Sequence, residues 1–173
     1  MYQQFNRYKI LRAFFDKPNK KFQLRELSRL TKISLPSVKK HVEELLKIEL
    51  IKEKKGGIYK GYISSLNNTY KILKRNDFLI RLHESGLIEE IEKKCTPNCI
   101  VLYGSAVEGT DDERGDIDIF VQSNKENIEL ISYENVLNRK ISLLFEKKLD
   151  KINAAFKNSI ANGIVLSGFL KVI

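Results

Sequence analysis

The chain has 173 residues, of which 42% are hydrophobic and 31% charged, a composition typical of globular and not of disordered proteins. Residues 1–75 carry 19 Lys and Arg against 6 Asp and Glu, a net charge of +13, whereas residues 76–173 carry 12 against 16, a net charge of −4. This asymmetry predicts a basic module that meets phosphates and a separate acidic module. Because no stretch resembles a signal peptide or is long enough to span a bilayer, we expect a cytoplasmic protein without membrane contact.

Three segments of the basic half carry apolar residues at helical spacing, and each predicts a helix. The first covers 5–15, and the second places Leu24, Leu27 and Leu30 on one face. Pro36 suits the first turn of the third helix, because a missing N–H has no helical partner there. The apolar stripe of this third helix consists of Leu35, Val38, Val42, Leu45 and Leu46.

A basic hairpin is predicted next, with strands at 50–55 and 58–64 and a turn at Gly56-Gly57. Three helices followed by such a hairpin resemble the winged helix-turn-helix of archaeal and bacterial transcription regulators. The resemblance covers roughly residues 5–65 and is closest over ISLPSVKKHVEELLKIELIKEKK. Glu49 departs from the pattern, because many relatives carry Gly before the Leu-Ile strand.

This resemblance implies double-stranded DNA as a partner. Outward residues near the start of the third helix would face base edges in the major groove, and lysines of the helix and hairpin would meet phosphates. The candidate DNA-contacting residues are Ser34, Ser37, Lys39, Lys40, His41, Lys52, Lys54, Lys55 and Lys60. Because lysine is a point charge, we expect phosphate contacts to exceed base readout. The alternative is a winged helix that contacts another protein.

The segment 67–94 predicts two connecting helices, with Asn68 as an N-cap and a break at Ser85-Gly86. The first of them is a candidate dimer surface, so a homodimer or another protein partner is a further expectation. Cys95 and Cys99 have no His nearby in the sequence. We expect two reduced structural cysteines, with a metal site or a disulfide as the alternatives.

The acidic half contains YGSAVEGTDDERGDIDIFV, a stretch suited to phosphates and a metal ion. An apolar strand leads into Gly104-Ser105, where backbone N–H groups and the serine hydroxyl would point at a bound phosphate. Asp116 and Asp118 are two residues apart in a predicted strand, so both carboxylates leave the same face. Such a pair repels unless it shares a divalent cation, and Mg²⁺ suits carboxylates combined with substrate phosphates. The alternative is a pair of exposed strand acids.

The spacing of Gly104-Ser105 and Asp116-x-Asp118 closely resembles the DNA polymerase beta superfamily of nucleotidyltransferases, in particular its minimal branch, from about residue 86 onward. The resemblance implies that Gly104 and Ser105 hold the phosphates of a nucleoside triphosphate. It implies Asp116 and Asp118 as the metal-binding and catalytic residues, with Mg²⁺ or Mn²⁺ as the cofactor.

The chain departs from this family at three positions. The family has a third carboxylate in a strand after a further helix, and the corresponding strand here, 140–145, carries Ser142 at that point. Glu146 would reach the site only in a different register. Glu108 replaces a common basic residue, and Gly115 replaces a frequent Ser. These departures predict an intact nucleotide pocket with an incomplete catalytic set.

The sequence therefore predicts an α+β protein with a winged helix-turn-helix domain at 1–66, connecting helices at 67–94 and a small mixed-sheet nucleotidyltransferase-like domain at 95–173. Further elements of this last domain are predicted helices at 132–138 and 149–162 and a final strand at 164–166. These features favour a DNA-binding transcriptional regulator whose second domain binds nucleotide and metal with little turnover. The alternative is an active enzyme that transfers a nucleoside monophosphate to a hydroxyl of a protein, nucleic acid or small molecule, including an antitoxin that nucleotidylates its toxin.

Overall fold

A computed structural model describes residues 5–54 and 60–171 of the chain. The chain divides into two compact units, Met1–Lys74 and Arg75–Ile173, and the division falls inside one helix. In the described ranges, no helix combines the length and apolar character needed to cross a membrane.

The first unit contains three helices, a two-stranded antiparallel sheet and the start of a fourth helix. These elements are α1 (Asn6–Asp16), α2 (Leu24–Thr31), α3 (Leu35–Lys47), β1 (Ile51–Lys54), β2 (Gly61–Ser64) and α4 (Asn68–Glu84). Phe14 and Phe22 pack edge to face in its core with ring centroids 5.1 Å apart. Phe22 and Tyr62 exchange two backbone hydrogen bonds of 2.8 Å, which join β2 to the segment before α2.

Four details of this unit differ from the sequence-based expectation. Leu30 is 59% exposed, because positions spaced by three drift around a helix and only Leu27 of the expected face is fully buried. Phe5, which the pattern placed on the first helix, precedes α1 and is 63% exposed. The N-cap of α4 is Asn67, whose Oδ1 accepts a 2.8 Å hydrogen bond from the Tyr70 amide, and not Asn68. The second strand begins at Gly61; the expected turn and the start of the expected strand lie largely outside the described residues.

The backbone conformation of Glu49 shows why many proteins of the winged-helix pattern carry Gly at this position. It follows α3 with a φ of 56°, in the left-handed region that glycine adopts without strain. The chain therefore makes the turn between α3 and β1 with a residue that is less suited to this conformation than glycine.

The second unit is built on a four-stranded mixed sheet in the order β5-β4-β3-β6, in which β4 and β5 are parallel and the other pairs antiparallel. Its strands are β3 (Cys99–Tyr103), β4 (Ile117–Val121), β5 (Ile141–Phe145) and β6 (Ile164–Gly168). Its helices, besides the end of α4, are α5 (Leu87–Cys95), α6 (Ser105–Glu108), α7 (Ile131–Leu137) and α8 (Ala154–Ala161), with a short 3-10 helix at Leu149–Lys151.

Both faces of the sheet are covered by apolar residues. Ile117 and Ile119 of β4 lie in one cluster with residues of α4, α5 and α7, whereas Phe120 lies in another with Leu149 and Ile160. This alternation assigns Asp118 to the second face, since residues two apart in a strand share a side. The expected helix 149–162 is wrong: Ile152 is extended, and Asn153 caps α8 by accepting a hydrogen bond from the Phe156 amide.

Candidate functional site

Gly104 and Asp118 meet where β3 ends and β4 begins. Gly104 has φ 78° and ψ −159°, a conformation that is essentially restricted to glycine. A Cβ on this residue would lie 2.6 Å from Oδ2 of Asp118. The turn after β3 therefore needs glycine twice over, for its backbone angles and for the close approach of a carboxylate.

Asp116 and Asp118 lie beside this turn, but only Asp118 is within the strand, since β4 begins at Ile117. Asp116 is exposed and Asp118 half-buried. Burial raises the pKa of Asp118, the negative charge of Asp116 raises it further, and the Arg139 guanidinium opposes both effects. The charge of Asp116 therefore disfavours the ionised form of Asp118.

Arg139 holds the loop that carries Asp116. Its Nη1 lies 2.6 Å from Oδ2 of Asp111, and both side chains are only 8% exposed. Its Nε donates to the Gly115 carbonyl and its Nη2 to the Asp116 carbonyl, each at 2.9 Å. The guanidinium also stacks over Phe78, with Cζ 5.4 Å from the ring centroid. Three charge-assisted hydrogen bonds therefore set the backbone from which the Asp116 carboxylate projects.

The register of β4 and β5 determines which residue lies beside Asp118. Asp118 lies directly opposite Ser142, so the residue beside the Asp pair is a serine. Glu146 donates its amide to the Val121 carbonyl at the other end of β4. Three residues of strand, about 10 Å, separate Val121 from Asp118, so the Glu146 carboxylate does not belong to the site. Among the described residues, no cluster of three or more His, Cys, Asp or Glu could enclose a metal ion.

The residues that are present fit one divalent cation shared with phosphate. Two carboxylates, with substrate oxygens and water as the remaining ligands, suffice for Mg²⁺. Ser105 is exposed at the start of α6, and its hydroxyl lies 3.9 Å from the point where a Cβ of Gly115 would stand. A Cβ at position 115 would therefore meet this hydroxyl only at ordinary van der Waals distance. Glu108, which ends α6, is exposed, and its carboxylate accepts a 3.4 Å hydrogen bond from Thr110.

The basic residues of the first unit are spread over α3 and the hairpin. Ser34, Lys39, Lys40, Lys52 and Lys54 are exposed, and Ser37 is half-buried. The Ser34 hydroxyl does not cap α3, although the residue occupies the N-cap position. Lys55 lies outside the described residues.

Two of the expected DNA-contacting residues have acidic partners. Lys60 Nζ lies 2.8 Å from Glu53 Oε1, and this hydrogen bond raises the pKa of the lysine. His41 Nδ1 lies 3.0 Å from Glu44 Oε2, and Arg7 lies 3.7 Å from the same oxygen. His41 also lines a cleft of about 520 Å³ between α1 and α3 together with Leu45 and other apolar residues. It therefore sits on the α1 flank of α3, away from Lys39.

Arg25 and Arg29 of α2 were not singled out from the sequence. Both are exposed, and with Lys60 they line a cleft of about 650 Å³ bordered by Leu35 and Tyr62. Arginines on the polar face of a helix give no specific sequence signal, because solvated arginines are common there. The fold places them beside the start of α3.

Residues 86–169 match the family model described as Polymerase beta, Nucleotidyltransferase. This range runs from the start of α5 through β6 and contains Gly104, Ser105, Asp116 and Asp118. The part of the chain that it covers is a nucleotidyltransferase-like domain, which confirms this half of the resemblance drawn from the sequence. Neither a curated protein nor a solved structure matched the chain.

Proposed function

We propose that the second unit binds a nucleoside triphosphate together with Mg²⁺ or Mn²⁺ and that it turns the nucleotide over slowly or not at all. The observation that carries this proposal is the register of β4 against β5, which puts Ser142 and not a carboxylate opposite Asp118. Asp116 and Asp118 would hold the cation, and the backbone of Gly104 with the Ser105 hydroxyl would bind phosphate. The cation would neutralise the phosphates and the Asp pair.

The missing carboxylate accounts for the slow turnover. A third acid beside Asp118 would complete the shell of a catalytic metal and accept the proton of an attacking hydroxyl. A serine hydroxyl at 142 has no charge and is a poor base at neutral pH. Arg139 contributes by fixing the Asp116 backbone, so the loop does not need the nucleotide to become ordered.

Calorimetric titration with ATP tests this proposal in the presence and absence of Mg²⁺. We expect Mg²⁺-dependent binding by the wild type and its loss in Asp116→Asn and Asp118→Asn. Asp112→Asn is the matched control, because Asp112 belongs to the same loop but its Oδ1 accepts a hydrogen bond from the Arg114 amide. Equal binding by all four proteins would overturn the proposal. Transfer of label from a nucleoside triphosphate to a protein or nucleic acid would favour the working enzyme over the slow site.

We further propose that the first unit binds double-stranded DNA and that the whole chain acts as a transcriptional regulator. What supports this is the excess of basic residues in the first 75 positions and the exposure of Lys39, Lys40, Lys52 and Lys54 on α3 and β1. Arg25 and Arg29 would add phosphate contacts from α2. Lysines that contact phosphates displace the counterions condensed on the DNA, so binding would weaken steeply with salt.

A gel-shift titration against mixed-sequence duplex DNA tests this second proposal. Lys52→Glu combined with Lys54→Glu should abolish a shift that raised salt also removes in the wild type. Lys9→Glu combined with Lys71→Glu is the control, since it makes the same change of charge on α1 and α4. A shift that survives the strand substitutions, or one that the control pair removes equally, contradicts DNA binding by this surface.

A further inference from the structure

We propose that Phe156, backed by Tyr103, is the platform on which the base of the bound nucleotide stacks. The inference rests on the proposed nucleotide site and extends it from the phosphates to the base. It assigns a role to an exposed aromatic residue near the start of α8.

Tyr103 connects this platform with the carboxylates. It is the last residue of β3 and lies directly opposite Asp118 in the antiparallel register, so both side chains leave the same face of the sheet. Gly104 follows it immediately and begins the turn that packs against Asp118. Burial raises the pKa of the Tyr103 phenol, and the negative charge of Asp118 raises it further. Tyr103 thus forms the inner wall of the site.

Phe156 packs on this wall from α8. The two rings lie edge to face, with centroids 6.3 Å apart and planes at 78°. Tyr103 is 5% exposed, whereas Phe156 is 46% exposed. Phe156 therefore supports Tyr103 through one part of its ring, and much of the ring stays exposed to solvent.

The exposure of Phe156 is not required by the packing of the sheet. Leu149, Ile152 and Ile160 already cover the same face, and each is at most 8% exposed. An aromatic ring held in place by a buried neighbour loses little conformational freedom when it binds a flat ligand. Beside a site for phosphates and a divalent cation, the flat ligand that geometry favours is the base of the same nucleotide.

Stacking on an aromatic face tolerates any base, because every base has a π surface. The platform would raise the affinity for nucleotides over that for inorganic polyphosphate without selecting strongly among bases. Truncation of the ring should weaken nucleotide binding about 5- to 150-fold, the range typical of base–aromatic stacking.

The test compares ATP with tripolyphosphate, both with Mg²⁺, by calorimetric titration of the full chain. Phe156→Leu retains an apolar cover over Tyr103 and removes the π face, whereas Phe156→Tyr retains the face. We expect Phe156→Leu to weaken ATP binding and to leave tripolyphosphate binding unchanged, and Phe156→Tyr to bind ATP like the wild type. Phe169→Ala is the control, because Phe169 is an aromatic residue that is 87% exposed and lies far from Tyr103 along β3. Its backbone amide donates a hydrogen bond to the carbonyl of Asn98, which precedes β3.

Four results would overturn the inference, and they distinguish its failure from the failure of the proposed nucleotide site. The wild type could bind ATP and tripolyphosphate with equal affinity, or Phe156→Leu could bind ATP like the wild type. Either result would contradict stacking of the base on Phe156 and would still agree with the proposed phosphate site. Parallel weakening of both ligands in Phe156→Leu indicates a structural role for the ring. If the wild type bound neither ligand, both the proposed nucleotide site and the stacking platform would be contradicted.

Discussion

Ser142→Asp would place a third carboxylate beside Asp118, where the family pattern has one. Because the two residues are opposite each other on adjacent strands, their side chains leave the same face about 5 Å apart. Two unit charges at this distance repel by about 1 kcal/mol in water and about 3 kcal/mol at an effective dielectric constant of 20. Ser142 is exposed, so we expect the lower figure. Without divalent cations the variant should therefore unfold about 4 to 8 °C below the wild type.

A bound cation should reverse this destabilisation. The added carboxylate supplies one more oxygen ligand and its repulsion from Asp118 becomes attraction to the metal, so Mn²⁺ should bind at least about tenfold more tightly. The same variant should also gain nucleotidyl transfer if the missing acid is what limits turnover.

Thermal unfolding with and without Mg²⁺ and titration with Mn²⁺ measure these effects. Ser142→Asn is the matched control, because it has nearly the size of the aspartate and no charge. If Ser142→Asp bound Mn²⁺ no more tightly than Ser142→Asn, the position beside Asp118 would not be the third metal-binding position. The reasoning from the strand register would then be refuted.

Three other predictions follow from single residues. Arg139→Met should lower the free energy of unfolding by about 3 to 5 kcal/mol, because it removes the guanidinium from a buried ion pair with the Asp111 carboxylate. The substitution of the exposed Arg114 by Met should have little effect in the same urea titration. Glu49→Gly should stabilise the chain by up to about 1 kcal/mol by relieving a left-handed φ, whereas Glu43→Gly within α3 should destabilise it by about 1 kcal/mol. Asp118→Asn should raise the melting temperature at pH 7 in the absence of divalent cations, since burial raises the pKa of this carboxyl, and the gain should vanish as the pH falls below about 4.

Each of these has a clear contrary result. Equal loss of stability in the Arg139 and Arg114 variants would show that the buried pair contributes nothing specific. A destabilised Glu49→Gly would mean that its backbone carries no strain. For Asp118, the sign follows from the raised pKa: the stability that its neutral form supports is full at low pH and is lost as the pH rises through the folded-state pKa. A benefit of Asp118→Asn that grew with acidity would contradict it.

The sequence by itself determined the local features of the chain. Helical periodicity located α1, α2 and α3, and the break at Ser85-Gly86 separated α4 from α5, because these signals depend on neighbours a few residues away. The Gly104-Ser105 turn and the Asp116-x-Asp118 pair were recognisable for the same reason. Local signals failed at α8, where Asn153 starts a new helix inside an apparently continuous apolar pattern.

The tertiary structure decided which distant residues meet. The pairing of Asp111 with Arg139, 28 positions apart, leaves no trace in spacing or composition. The register of β4 against β5, which brings Ser142 to Asp118 and keeps Glu146 away, depends on the parallel pairing of strands separated by α7. The contact of Phe156 with Tyr103 depends on where α8 crosses the sheet. The sequence of a strand or helix determines which of its residues share a face, because that depends on local periodicity. Which residues of other elements pack against that face is decided only when the strands pair and the helices cover both faces of the sheet.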